Sequence, residues 1–174
     1  MTKADGIPVY CAHSEIVPID MLRPNPRNPN THPPKQLALL AKIIREQGWR
    51  NPICVSNRSG MIVKGHARLA AAKLIPVNAV PIDRQDYASD EQEWADMVAD
   101  NRLAELAEID QAILKDIMAE LDTGGFDMEL TGFYLPEIEE LMTQFHVGGD
   151  EPPAAAKNAG DMITCPQCGH EWEA

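Results

Sequence analysis

The chain has no apolar run long enough to span a bilayer, and its first residues, Met-Thr-Lys-Ala-Asp-Gly, do not form a signal-peptide pattern. A cytoplasmic protein with no membrane contact is therefore the expectation. Cysteines number only four, in two unlike settings: Cys11 and Cys54 stand apart, while Cys165 and Cys168 form a CxxC. That is no disulfide framework. Cationic residues are also scarce: the net charge is −12, which taken alone argues against nucleic acid because phosphate contacts need Lys and Arg. Paired carboxylates are missing from the front of the chain through residue 83, where Asp20, Glu46 and Asp83 are scattered. A metal-dependent nuclease would need such a pair or another way to activate water.

What is present is unevenly spread. Residues 1–82 hold 11 Lys+Arg against 4 Asp+Glu, a balance of +7, whereas residues 83–151 hold 3 against 20, a balance of −17. A basic front half, able to meet a polyanion such as DNA, is followed by an acidic one that would repel it or dock on a basic partner. With 174 residues, 44% of them apolar, the chain can bury one core and a small appendage.

The central stretch runs from Met61 to Lys73, where a short apolar run meets Gly65 and then an alanine-rich segment. It reads as strand, tight turn and helix. The free amides of the first helical turn, with His66 and Arg68 beside them, make a place for a phosphate. Arg68 suits that role because a guanidinium meets phosphate bidentately and stays charged. His66 titrates near neutrality and is a candidate proton carrier, phosphate ligand or helix-capping side chain. Lys64 and Lys73 read as plain surface lysines.

Around this stretch, residues 15–20 read as a short edge strand in which Pro18 denies the ladder a donor, and residues 23–32 as an ordered proline-rich loop bearing Asn28, Thr31 and His32. Leu37, Leu40, Ala41 and Ile44 mark an amphipathic helix that Gly48 ends. A hairpin around residues 57–60 and a strand over residues 77–82 complete a compact α/β layer with a mixed sheet. Ser89 caps a helix with Trp94, Met97 and Val98 on its apolar face. On the same face, Asn101 followed by Arg102 is either a hydrogen-bond hub or a closure over the Gly65 turn. Asp110 caps a helix carrying Ile113, Leu114, Ile117, Met118 and Leu121, and Pro136 opens one carrying Ile138, Leu141, Met142 and Phe145. These stripes are packing surfaces, within one subunit or in a homodimer.

Several of these pieces, in this order, resemble the N-terminal domain of the ParB chromosome-partition proteins within the ParB/sulfiredoxin fold. They are Asn28-Pro-Asn-Thr-His32, Gly48-Trp-Arg-Asn-Pro-Ile53, Gly65-His-Ala-Arg-Leu-Ala-Ala-Ala72 and Ala99-Asp-Asn-Arg-Leu-Ala-Glu105. The resemblance is greatest to phage and prophage versions, including those found in front of DNA methyltransferases. It implies a nucleoside triphosphate, CTP or ATP with Mg²⁺, whose phosphates meet Gly65, His66 and Arg68 beside the loop of Asn28, Thr31 and His32. Where ParB proper has Gly-Glu-Arg-Arg, this chain has Gly-His-Ala-Arg. Sulfiredoxin's motif cysteine is absent from the turn, which argues against peroxiredoxin repair. ParB proper continues into a basic helix-turn-helix DNA reader, but here the following helices are acidic, which removes most of the phosphate grip.

The expected organisation is thus a ParB/sulfiredoxin-like core over residues 15–84, an acidic three-helix segment over 85–146, a linker over 147–161 and a zinc-knuckle-like tail over 162–174. In the tail, Cys165 and Cys168 form a CPxCG turn suited to Zn²⁺, with His170 as a third ligand and the fourth from Cys11, His13 or a second chain. Two functions are open. One is a ParB-like nucleotide-binding protein acting on or beside phage DNA, with NTPase or nuclease activity. The other is a non-catalytic adaptor recruiting a DNA methyltransferase, terminase or other protein partner.

Overall fold

A computed structural model of the chain describes residues 2–144, 162–164 and 171–173. The centre is a four-stranded mixed sheet of β3 (Glu15–Pro18), β4 (Ile53–Ser56), β5 (Ile62–Lys64) and β6 (Ala79–Gln85), ordered β3-β6-β4-β5. β6 runs parallel to β4 and antiparallel to β3, and β4 and β5 form the antiparallel hairpin. As its run of apolar residues required, β4 is buried along its whole length. β6 extends three residues past the expected Ile82, because Asp83, Arg84 and Gln85 pair with Cys54, Val55 and Ser56. Pairing along a central strand outweighs the low strand preference of charged side chains.

Alternation along β4 divides the molecule into layers. Ile53 and Val55 face a core built with α1 (Pro34–Gln47) and α2 (His66–Ala72), in which Ala41, Ile44, Leu69, Ala71 and Ala72 are buried. Cys54 faces the other side, where it joins Val63 and Met97 of α3 (Asp90–Glu105). Gly48 ends α1 at φ 77°, and a Cβ there would stand 2.7 Å from the Pro8 carbonyl, so only glycine fits. A small N-terminal hairpin of β1 (Lys3–Ala4) and β2 (Ile7–Pro8), not foreseen from the sequence, adds Ala4 and Ile7 to the core.

The remaining helices, α4 (Gln111–Leu121) and α5 (Leu135–Gln144), form a satellite core of Met118, Met128, Ile138 and Leu141. It is tied to α1 by Lys42, whose Nζ lies 2.7 Å from Asp127 and 2.6 Å from Glu129. Asp110 caps α4 as expected. Three expected apolar positions differ: Val98, Ile113 and Ile117 are half exposed or more, on helix faces turned away from Met97 and Met118. In exchange α3 buries Glu93, a residue the apolar pattern gave no reason to place inside.

β7 (Met162–Thr164) and β8 (Glu171–Glu173) pair as an antiparallel hairpin that brackets the CPxCG segment. Cys165, Cys168 and His170 themselves lie outside the described residues, as do the linker and Phe145. No helix among the described residues is long and apolar enough to cross a membrane.

Candidate nucleotide-binding site

A cleft opens where β5 runs into α2. Gly65 makes the turn at φ 90°, ψ 26°, a left-handed conformation that costs a side chain dearly. A Cβ there would also stand 3.1 Å from the Arg68 guanidinium and 3.4 Å from Ile53 Cα. The walls come from five segments: Asn28 and His32 from the proline-rich loop, Leu40 from α1, residues 63–68 from β5 and α2, and Asp100 and Asn101 from α3. Asn28, His32, Gly65, His66, Arg68 and Asn101 are therefore brought together.

Two candidates stay outside this lining. Thr31 is exposed on the loop. Arg102 sits about 100° round the helix from Asn101; it is 62% exposed and pairs with Glu105 at 3.1 Å. Asn101 itself donates from Nδ2 to the Met97 carbonyl at 3.0 Å, so it is both a helix-bonded amide and a cleft wall.

α2 is only seven residues long, so its dipole is weak and the side chains must set the field. Burial disfavours the charged form of Arg68, and the nearby Asp100 offsets this only in part, leaving the net shift downward. Its Nη1 donates to the Pro52 carbonyl at 3.3 Å. Among the described residues no carboxylate lies within 4.0 Å of it.

Lys64 is no plain surface lysine. Its Nζ lies 2.9 Å from Asp96 Oδ1 and 4.0 Å from Asp100 Oδ1. Burial alone would lower its pKa, but the Asp96 hydrogen bond and the charges of Asp96 and Asp100 outweigh it and hold the ammonium on. Tyr87, in turn, donates to Asp96 Oδ2 at 2.8 Å. This chain of partners was hidden in the sequence. The available signal was Asp96 and Asp100 one turn apart on a helix, with a lysine directly before the turn glycine.

His66 has a definite task. The Asn25 amide donates to its Nε2 at 3.2 Å, so Nε2 must be unprotonated and the ring neutral with its proton on Nδ1. Burial, followed by the charge of His32, lowers its pKa in keeping with this. The bond ties the proline-rich loop to the start of α2. Arg27, stacked 4.0 Å from the centre of the Trp94 ring, ties the same loop to α3.

The sign of the pH effect follows. The folded protein favours neutral His66 more than the unfolded chain does, so stability falls as pH drops below the ordinary value near 6.5 and levels off once both states are protonated. Urea denaturation from about pH 7.5 to about pH 5.5 should show this loss in the wild type. In His66→Gln the amide oxygen keeps the Asn25 bond without titrating, and the fall should be smaller.

The ParB N-terminal domain family model matches residues 9–102, more than half of the chain and all of the cleft. The chain belongs to the ParB N-terminal domain family. A second model, described as the ParB-methyltransferase HTH domain, matches residues 112–166 of this ParB-family chain. The acidic helices, whose charge argued against a DNA reader, are thus similar to a helix-turn-helix domain. The ParB-like nuclease domain-containing protein YnaK of Escherichia coli (strain K12) is 35% identical over 75 residues, 43% of this chain and 85% of that protein. Among solved structures, the C-terminally truncated chromosome-partitioning protein ParB from Caulobacter crescentus, complexed with CTP-γ-S, shares the fold. Its TM-score is 0.60 at 23% identity, covering 74% of this chain and 76% of that one.

Proposed function

We propose that this ParB domain binds the phosphate chain of a nucleoside triphosphate, CTP or ATP, in the cleft before α2, with Arg68 as the principal ligand. One observation carries the reading. The Arg68 guanidinium is drawn out of water yet meets only a backbone carbonyl and no carboxylate within 4.0 Å among the described residues. A partly desolvated cation whose burial the nearby Asp100 offsets only in part is a cost to the free protein that a phosphate removes. Asn28 and His32 add polar groups at the mouth, and Leu40 and Val63 an apolar wall for a ribose or base. The Caulobacter ParB of the same fold was solved with CTP-γ-S, which supports the same class of ligand here.

DNA is the second partner of this reading, met by the basic front half. Residues 111–144 carry only Lys115 as a cation, so the phosphate grip must come from residues 1–82. Hydrolysis is a separate matter. His66 cannot take a proton from water while its lone pair accepts the Asn25 amide, so we assign it to holding the loop.

A non-catalytic adaptor is the alternative, and one observation favours it. Leu103, Leu106, Ile109, Ile113 and Ile117 are each at least half exposed, in an acidic setting that suits a basic protein partner such as a DNA-modifying enzyme. Isothermal titration of CTP, ATP and GTP with Mg²⁺, with and without duplex DNA, separates the two. Saturable binding of one nucleotide supports the first reading. Absence of binding under every condition overturns it and leaves the fold as a recruitment scaffold.

A further inference from the structure

We infer that Lys64 takes the place of a metal ion in this cleft, so that the pocket holds a triphosphate without Mg²⁺; this rests on the nucleotide reading above. In phosphate sites Mg²⁺ is held by one or two carboxylates together with phosphate oxygens. Asp100 lines the cleft and Asp96 stands one helical turn before it, and both already face the Lys64 ammonium, at 4.0 and 2.9 Å. Asp96 is fixed from its other side by the Tyr87 hydroxyl at 2.8 Å. An ion demanding octahedral contacts would have to push the ammonium aside, in a cleft that already contains the Arg68 charge. The residues present therefore do not fit Mg²⁺.

They do fit a phosphate chain directly. Lys64 and Arg68 flank Gly65 in sequence, one before the turn and one in the first turn of α2, and both line the cleft. A chain lying over Gly65 meets an ammonium on one side and a guanidinium on the other. The contact that Lys64 gives up is the longer one, to Asp100, while Asp96 keeps it in place.

The test is calorimetric titration of CTP and of ATP into the full chain, in EDTA and in Mg²⁺. Affinity in EDTA should stay within about threefold of that in Mg²⁺. Lys64→Met should lose about tenfold or more in EDTA and regain part of it in Mg²⁺, because Asp96 and Asp100 are then free to ligate the ion. Lys64→Arg, which keeps the charge, should remain indifferent to the metal. Wild-type binding that weakens more than about tenfold in EDTA overturns the inference while leaving the nucleotide reading intact. Absence of binding in both buffers overturns the nucleotide reading itself, and the inference with it. Should Lys64→Met fail to fold, the wild type and Lys64→Arg decide.

Discussion

Arg68→Ala is expected to abolish nucleotide binding, lowering affinity by about 100-fold or more, without lowering the melting temperature of the free protein. The two halves of this result come from one feature. In the free protein the guanidinium is partly desolvated and makes one hydrogen bond, to Pro52 O at 3.3 Å, so removing it relieves a partly buried charge and forfeits little. In the proposed complex the same group would meet phosphate oxygens with two parallel donors, and its loss would be felt in full. Arg68→Lys keeps the charge but not the fork, and should fall between, at roughly tenfold. Calorimetric titration with CTP or ATP, paired with a thermal melt of each variant, checks both halves. If the alanine variant binds as tightly as the wild type, phosphate does not rest on Arg68. If it melts well below the wild type, the guanidinium is a structural strut and its vacancy for an anion is an illusion.

Much of this site was legible because short-range rules governed it. A glycine between an apolar strand and an alanine-rich helix could only be a turn. Three X-Pro steps could only hold the loop extended, and both features reappear at the cleft. Asn28, His32, Gly65, His66 and Arg68 come together because the loop and the start of α2 face the same gap, which Asn101 closes from within α3. What stayed hidden depends on pairs distant in sequence. Lys64 gains its meaning from Asp96 and Asp100, more than 30 residues away, and no local pattern separates such a lysine from a solvated one. Val98 and Ile117 had the right period for burial, yet their helices use other faces to meet the sheet and the satellite core. Nor does charge along the chain decide family: the acidic helices still match a helix-turn-helix domain.

Glu93→Ala is expected to destabilise the fold by about 2–4 kcal/mol, whereas Glu93→Gln should cost about 1 kcal/mol or less. Glu93 is 1% exposed on α3, and each carboxylate oxygen accepts one hydroxyl: Ser56 Oγ at 2.6 Å on Oε2 and Ser59 Oγ at 2.7 Å on Oε1. Those hydroxyls organise the β4–β5 turn. Ser56 Oγ accepts from the Arg58 and Ser59 amides, and Ser59 Oγ from the Met61 amide. With both lone pairs of Ser56 Oγ engaged, its proton must find an acceptor, and in the alanine variant there is none. Glutamine keeps the acceptor at the fully buried site. Its oxygen faces Ser56, while its amide nitrogen donates to Ser59 Oγ, whose own proton turns to solvent because Ser59 is only partly buried. The turn leads straight into Ile62, Val63, Lys64 and Gly65, so loosening it also misplaces the end of β5 that lines the cleft. Urea denaturation of the two variants, with nucleotide titration of each, should show alanine losing stability and affinity together while glutamine keeps both. Equal losses in the two would mean that the negative charge, and not the acceptor facing Ser56, holds the hairpin to α3.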